Sequence, residues 1–239
     1  MNKTDFGKVE LLEIQHNTPA WQKIRAGKFT ASSFSSLGKT EKVTEGMIRH
    51  ISDKVHEQIT GEVLSFANYH TERGHELESY AFMKYCELND VFGLRNMMYK
   101  VGEHICTSPD AIIDETNSLL EIKCPTYGGK IWATIYQIVV NDCDLAKAYL
   151  VKEYYWQLQF QLWCSGMDYV DLFLYSPIEG VGSLCYTVRI EPNEDDQEFI
   201  TRKLSKAIEI KKEMLQLAQK HIVKDENAVT INQILKELE

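Results

Sequence analysis

The stretch SPDAIIDETNSLLEIKCP, residues 108–125, contains two short runs of strand-type residues on either side of a polar bend. Side chains alternate between the two faces of a strand, so residues two apart share a face. Glu121 and Lys123 therefore point one way, and Leu120 and Ile122 point the other way into apolar packing. The pattern predicts a β-hairpin that carries two ionisable groups on one face.

The acid that opens the first run, Asp110, lies opposite Glu121 if the runs pair about a bend at residues 115–116. A slip of one residue stays open, because bends that contain Asn117 vary. Two carboxylates held close repel each other, and a sheet has no structural need for such a pair. A divalent cation removes the repulsion, and hard oxygen ligands with few fixed protein contacts suit Mg²⁺.

A lysine completes this group of residues. Next to a cation and a phosphate, Lys123 can orient a water and neutralise charge during an in-line displacement. The three residues therefore predict a site that hydrolyses phosphodiesters. The alternative from the residues alone is a surface hairpin whose acids and lysine form an exposed salt-bridge ladder.

Length and composition indicate an ordinary globular protein of 239 residues, 44% hydrophobic and 26% charged. We expect a single domain over 1–239. No apolar run could span a bilayer and the polar start lacks a signal-peptide core, so we expect a cytoplasmic protein without membrane contact. The six cysteines form no CxxC pair, which disfavours a zinc ribbon or an iron–sulfur cluster.

The net charge is −9, but its distribution is uneven. The segment from Trp21 to Lys54 contains seven Lys/Arg and three Asp/Glu, a balance of +4 against −13 elsewhere. An acidic protein with one basic groove can still bind DNA. A solvated basic helix face explains the segment equally well from charge alone.

Periodicity and turn residues predict the order of elements. Helices are predicted over 17–27, 44–61, 72–89, 128–140, 152–165, 194–220 and 230–238, with a short one capped by Thr30. Strands are predicted over 93–101, 103–108, 110–114, 119–123, 169–175 and 183–190. The order indicates an α/β or α+β domain with a small mixed central sheet flanked by helices.

Five ordered blocks carry a resemblance to a known family. They are AWQKIRAGKFTASSF (20–34), RGHELE (73–78), CTSPDAII (106–113), EIKCP (121–125) and YYWQLQFQLW (154–163). The series resembles the bacteriophage lambda exonuclease family, also called YqaJ-type viral recombinases, within the PD-(D/E)xK nuclease superfamily. The resemblance covers about residues 18–190 and leaves 191–239 as C-terminal helices.

The resemblance implies a restriction-endonuclease-like core and a Mg²⁺-dependent 5′→3′ exonuclease that digests one strand of linear double-stranded DNA. One or two Mg²⁺ ions are implied, with Mn²⁺ able to substitute. The family typically forms a homotrimer and passes its product strand to a single-strand annealing protein for recombination. A phage or prophage protein in the bacterial host cytoplasm is therefore expected.

The same resemblance assigns roles around the hairpin. Asp110, Glu121 and Glu78 match the metal-binding acids, Lys123 matches the catalytic lysine, and Gln157 matches the glutamine on the helix after the core. From the residues alone, Glu76 rivals Glu78, although Glu78 shares a helix face with partly buried aromatic residues.

Two outer groups of residues have weaker support. From the residues alone, Gln157 and Gln161 are equally typical of a wet helix edge, and Gln161 keeps that interpretation. By resemblance, Arg25, Ser32 and Ser108 match a pocket for the 5′ phosphate, for which a guanidinium and hydroxyl donors are suited.

Trp21 is expected to pack in the core. Candidate contacts to the DNA backbone are Lys39, Lys42, Arg49 and Lys54.

Two alternatives remain open. One is a different PD-(D/E)xK nuclease, either an endonuclease or a Cas4-like end processor, although the absence of a cysteine cluster disfavours the latter. The other is a non-catalytic protein that binds DNA ends, against which the intact acid–acid–lysine set argues.

Overall fold

Helices surround two four-stranded sheets in the computed structural model, which describes residues 3–63, 69–125 and 127–222. The strands are β1 (Val9–Glu13), β2 (Phe29–Thr30), β3 (Met97–Val101), β4 (Ile105–Thr107), β5 (Ala111–Ile113), β6 (Ser118–Lys123), β7 (Tyr169–Ile178) and β8 (Gly182–Ile190). The α-helices are α1 (Pro19–Arg25), α2 (Glu45–Thr60), α3 (Tyr69–Asn89), α4 (Lys130–Asn141), α5 (Asp144–Ser165) and α6 (Glu194–His221). Short 3₁₀ turns occur at Lys3–Phe6, Ala31–Leu37 and Asp114–Thr116.

Both sheets are mixed, which confirms the predicted fold class. The first has the order β1-β3-β4-β2, in which only the β2–β4 pair is parallel. The second has the order β5-β6-β7-β8, in which only the β6–β7 pair is parallel. Parallel neighbours need a crossover, and α4 and α5 supply it between β6 and β7. The predicted strands are thus divided between two sheets.

The β5–β6 hairpin has the predicted register. Ala111 pairs with Leu120 and Ile113 pairs with Ser118, which places Asp110 opposite Glu121. The turn ends at Asn117, whose φ of 49° lies in the left-handed region that asparagine tolerates. The alternative of a one-residue slip is therefore excluded.

The two faces of β6 contact different helices, as alternation requires. Leu120 and Ile122 belong to a small apolar cluster with Ala81 and Tyr85 of α3. On the opposite face, Leu119 joins the larger core that includes residues of α5. The side chains of Glu121 and Lys123 thus face α5, and that face forms the site.

Helix α3 buries one stripe of its surface. Tyr80 and Leu88 are 61% and 56% exposed, while Ala81 and Tyr85 are buried. The apolar residues of α3 fit more than one helical stripe, and contact with the β6–β7 face selects the one that contains Ala81 and Tyr85.

Local signals located most helix ends correctly. The Thr18 side chain accepts the Trp21 amide at the start of α1, and Gly61 ends α2 in the left-handed conformation. Thr30 precedes a helix as predicted, but the helix is 3₁₀ and the Thr30 side chain does not cap it. Helix α5 begins at Asp144, earlier than predicted, and neither β1 nor β2 was predicted.

Two further predictions concern membrane spans and the C-terminus. Within the ranges that the structure describes, no helix combines the length and apolar character needed to cross a bilayer. The short helix predicted over 230–238 lies outside the described residues.

Candidate active site

The open end of the β5–β6 hairpin gathers the acid–acid–lysine set. Glu121 is 3% exposed, and Lys123 Nζ donates to its Oε1 at 2.5 Å. Asp110 is half-buried directly before β5, where its Oδ2 accepts the Ile122 amide at 2.6 Å. The predicted convergence of two acids and a lysine on one sheet face is therefore present.

Burial and neighbouring negative charges disfavour the ionised form of the Asp110 carboxylate. Burial raises the pKa of Asp110 well above its usual value, and the charges of Glu121 and Glu78 raise it further, while Lys123 acts in the opposite direction. Burial alone would lower the pKa of Lys123, but the charges of Glu121 and Asp110 outweigh burial and raise it. Lys123 is therefore cationic at neutral pH, and its single charge faces more than one carboxylate.

Glu121 receives further donors from α5. Gln157 Nε2 donates to Oε1 at 2.5 Å, and Gln161 Nε2 donates to Oε2 at 2.6 Å. The structure thus places Gln157 against the hairpin. The interpretation of Gln161 as a wet helix edge was wrong, because its side chain is only 1% exposed. Sequence periodicity gave no signal for it, since α5 is buried on all sides around this position.

Glu78 is held in an ion pair. Arg95 donates to Glu78 Oε1 at 2.5 Å and to the Ser79 hydroxyl at 2.9 Å. Glu78 is nevertheless near enough for its charge to raise the pKa of Asp110. Among residues 3–63, 69–125 and 127–222, no three His, Cys, Asp or Glu side chains are grouped closely enough to hold an ion. Glu76, the alternative to Glu78 in the sequence, lies outside the described side chains.

The donor chemistry of the hairpin fits a divalent metal ion. Asp110 and Glu121 present hard carboxylate oxygens on facing positions, and their mutual repulsion raises the pKa of Asp110. A cation would remove that repulsion, and carboxylate oxygens are preferred ligands of Mg²⁺ and Mn²⁺. Glu78 could join as a third acid from α3.

A second group of side chains surrounds Trp21. The guanidinium of Arg25 lies 4.1 Å from the centre of the Trp21 ring, and Trp21 Nε1 donates to the Ser108 hydroxyl at 3.0 Å. The parallel pairing of Thr30 with Cys106 places Ser32 and Ser108 just beyond neighbouring strand ends. Arg25 is thus linked to Ser108 through Trp21, and Ser32 follows the neighbouring strand end. Trp21 is half-buried and stacks on Arg25, so the expectation of core packing was incomplete.

Arg25 is well suited to receive an anion. Its side chain makes no hydrogen bond or ion pair with any residue in the described part of the chain. Burial lowers its pKa from the ordinary value, and the guanidinium still carries its charge at neutral pH. A partly desolvated, unpaired cation is favourable where a negative ligand binds.

The predicted DNA-backbone contacts have different surroundings. Lys39 and Lys42 are exposed, and exposed Arg49 pairs with Glu45 at 3.1 Å. Lys54 is 8% exposed, and its ammonium donates to both oxygens of buried Glu57 at 2.9 Å. The prediction that Lys54 follows the DNA backbone is therefore wrong, because its charge is neutralised inside the protein.

A cavity of about 370 Å³ opens beside the hairpin. It is lined by Lys123 and Tyr154 on one side and by the start of α4, including Lys130, on the other. The Lys123 ammonium lies 5.4 Å from the centre of the Tyr154 ring. The lysine of the acid–acid–lysine set therefore lines a space that a substrate could enter.

An α/β core with two acids and a lysine at the end of a buried hairpin defines the PD-(D/E)xK type of site. Residues 20–168 match the model of the YqaJ-like viral recombinase domain. The match covers more than half of the chain, so the protein belongs to the YqaJ-like viral recombinase family. The family suggested by the five sequence blocks is thereby confirmed.

Solved structures share the fold at low sequence identity. The alkaline exonuclease LHK-Exo from Laribacter hongkongensis superposes with a TM-score of 0.68 at 21% identity, over 85% of this chain and 97% of that one. A phage-related exonuclease from Haemophilus somnus 129PT gives 0.66 at 16% identity, over 80% and 96%. A complex of LHK-Exo with dAMP matches with a TM-score of 0.66 at 22% identity, over 85% and 97%. No functionally curated protein matches the chain.

Proposed function

We propose that this protein is a Mg²⁺-dependent exonuclease that digests one strand of linear double-stranded DNA in the 5′→3′ direction. The observation that carries the proposal is the facing pair Asp110 and Glu121, with Lys123 bonded to Glu121 beside an open cavity. Membership of the YqaJ-like family and the fold shared with two exonucleases support it.

The acids provide the metal site in this proposal. Asp110, Glu121 and Glu78 would hold one or two Mg²⁺ ions, or Mn²⁺ in their place. Bound metal would supply Lewis-acid activation of the phosphate and of the attacking water. Lys123 and two glutamines all donate to Glu121, and these bonds hold its carboxylate in place for this role.

Lys123 and Gln157 act through positive charge and orientation. The raised pKa of Lys123 keeps a proton on Nζ at neutral pH. Its ammonium can donate to a phosphate oxygen and stabilise the charge that develops during displacement. Gln157 shares Glu121 Oε1 with Lys123 and thereby limits the motion of both side chains.

The 5′→3′ direction of digestion depends on the group of residues around Trp21. We assign Arg25, Ser32 and Ser108 to a pocket for the terminal 5′ phosphate, with Trp21 as the platform on which Arg25 stacks. A terminal phosphate carries more charge than an internal diester, so a guanidinium and hydroxyl donors favour it. Lys39, Lys42 and Arg49 remain available to the duplex backbone.

Assembly and pathway belong to the same proposal, and they rest on the family resemblance. The protein would work as a homotrimer of single 1–239 domains on DNA ends in the bacterial host cytoplasm. Its product strand would pass to a single-strand annealing protein during phage-type recombination.

The decisive experiment uses linear duplex DNA labelled separately at each 5′ and 3′ end, with Mg²⁺, Mn²⁺ or EDTA. We expect metal-dependent nucleotide release from the 5′ end and no cleavage of covalently closed circular DNA. Cleavage of the circle would indicate an endonuclease instead. If the protein bound DNA ends but hydrolysed none of them with Mg²⁺ or Mn²⁺, it would be a non-catalytic protein that binds DNA ends.

A further inference from the structure

A glutamine in the core directly beneath the hairpin has an unusual environment. Gln161 lies on α5 between Phe160 and Leu162, which are 0% and 1% exposed. Its Nε2 donates to Glu121 Oε2 at 2.6 Å. Most of its neighbours on the helix are apolar and buried, so an apolar side chain would suit the packing equally well.

The other half of the Gln161 amide makes no hydrogen bond. Its Oε1 is a buried oxygen without a partner in the described part of the protein. A buried acceptor without a donor destabilises a fold, and such groups are rare in native proteins. Rotating the amide would place Oε1 against the Glu121 carboxylate, which is worse, so the donor must face Glu121. The unpartnered Oε1 therefore carries a cost to stability.

That donor completes the anchoring of the Glu121 carboxylate. Oε1 of Glu121 already accepts from Lys123 and Gln157, while Oε2 accepts from Gln161. A carboxylate has about four acceptor positions, so these three bonds leave about one. With both oxygens held from the protein side, the carboxylate cannot rotate freely about its last bond.

We propose that Gln161 is a positioning residue for metal binding, which fixes Glu121 so that its remaining acceptor position stays directed at the cation. The inference rests on the proposed function. Partners that orient a metal ligand in this way typically change metal affinity or activity by about 10–100-fold when they are removed.

The test compares two buried glutamines of the same helix. Gln161→Met keeps length and volume but removes the donor and the unpartnered oxygen. Gln159→Met is the matched control: Gln159 is 0% exposed, but it donates to the Glu191 carbonyl at 2.8 Å and accepts the Asn193 amide at 3.0 Å, away from Glu121. Mn²⁺ binding to DNA-free protein, followed by the loss of the free-ion EPR signal, is measured beside the Mg²⁺ dependence of hydrolysis and thermal unfolding.

The two variants are expected to separate metal binding from stability. Gln161→Met should bind Mn²⁺ about 10–100-fold more weakly and need correspondingly more Mg²⁺. Its unfolding temperature should change little, because removing the unpartnered Oε1 offsets the loss of the donor to Glu121. Gln159→Met should unfold at a lower temperature with unchanged Mn²⁺ affinity. Should Gln161→Met fail to fold, Gln161→Leu provides the same comparison with a smaller side chain.

Two results would overturn the inference in distinguishable ways. If wild type binds and uses metal and Gln161→Met does so with the same affinity, Gln161 has no positioning role and the proposed function stands. If wild-type protein binds no Mn²⁺ and hydrolyses no DNA, the inference falls together with the proposed function.

Discussion

The carboxylate of Asp110 accepts the backbone amide of Ile122 at 2.6 Å and is thereby tied to the strand that carries Glu121. This bond favours the charged form of Asp110, whereas burial and the charges of Glu121 and Glu78 oppose it more strongly. The pKa of Asp110 is raised as a result. The metal-free fold therefore contains a carboxylate that its surroundings disfavour.

Asp110→Asn should abolish hydrolysis and stabilise the metal-free protein. A group whose pKa is raised on folding stabilises the fold below its unfolded pKa, and that stabilisation is lost as pH rises through the folded pKa. Neutral pH lies above the unfolded pKa, so wild type has lost stabilisation there, whereas the neutral amide avoids the loss. In EDTA we expect the variant to unfold about 2–4 °C higher, as ~1 kcal/mol produces in a chain of this size.

The control for that change is Asp114→Asn, an exposed acid in the turn of the same hairpin. It should retain hydrolysis and the wild-type unfolding temperature. Mg²⁺ should stabilise wild type and Asp114→Asn but not Asp110→Asn. If Mg²⁺ raises the unfolding temperature of Asp110→Asn as much as that of wild type, Asp110 is not a metal ligand.

Lys54→Met should affect stability and not the electrostatics of DNA binding. Lys54 and Glu57 form a buried pair, and Glu57 also accepts the Gly27 amide at 3.0 Å. Removing one partner of a buried pair costs about 3–5 kcal/mol, which urea unfolding would detect. The salt dependence of DNA binding should be unchanged, whereas exposed Arg49→Ala should reduce its slope with little loss of stability. If Lys54→Met reduced the slope of DNA affinity against salt concentration, Lys54 would be a contact to the DNA backbone after all.

The sequence predicted the hairpin of the site because local rules determine it. A strand has a period of two, so the face shared by Glu121 and Lys123 follows once the run is recognised as a strand. Asn117 tolerates the left-handed conformation that closes the turn, and the turn sets the register that brings Asp110 opposite Glu121. These residues lie within fourteen positions of one another.

Contacts between distant segments could not be predicted in this way. Gln161 meets Glu121 across forty positions, and helical periodicity is uninformative where α5 is buried on all sides. Lys54 and Glu57 have the i, i+3 spacing of a solvated helix face. They are buried by tertiary packing, which includes α6 against α2 and the Gly27 segment that donates to Glu57. No sequence pattern predicted the ion pair between Arg95 and Glu78, because it joins a helix to the loop before β3.

Lys123→Met should reduce turnover much more than DNA binding. A cationic donor beside the reacting phosphate acts chiefly in the transition state, so a loss of at least ~100-fold in kcat is expected. Affinity for duplex ends, measured without Mg²⁺, should change little. The control is Lys206→Met, which removes an exposed ammonium that pairs with Glu209 on α6. Near-normal turnover with weak binding would make Lys123 an ordinary phosphate contact.

Arg95→Met should destabilise the metal-free protein and increase the stabilisation that Mg²⁺ confers. The change removes the guanidinium from Glu78, whose charge already raises the pKa of Asp110. Losing a hydrogen bond between charged groups costs about 1.5–3 kcal/mol. Adding Glu78→Gln should restore part of the stability and remove the extra effect of Mg²⁺. An unchanged Mg²⁺ effect in Arg95→Met, measured by thermal unfolding, would place Glu78 outside the metal site.

The polarity of digestion depends on the group around Trp21. Arg25 stacks on the indole, and the indole N–H is bonded to Ser108, so the guanidinium is held in place without a carboxylate partner among the described residues. A cation positioned in this way can bind a terminal phosphate and place a nearby phosphodiester at the acids, which gives direction without reading bases.

Arg25→Ala should therefore remove the preference for a 5′ phosphate and leave the metal site intact. Wild type should degrade 5′-phosphorylated duplex faster than 5′-hydroxyl duplex, and Arg25→Ala should degrade both at the slower rate, with unchanged Mg²⁺ dependence. Arg25→Lys should recover only part of the difference, because an ammonium lacks the planar fork that grips phosphate and stacks on an indole. Lys23→Ala, which removes an exposed cation from the same helix, should keep the full preference. Equal rates on both ends with wild type, or release from the 3′ end first, would refute the pocket and the direction while leaving the hairpin site standing.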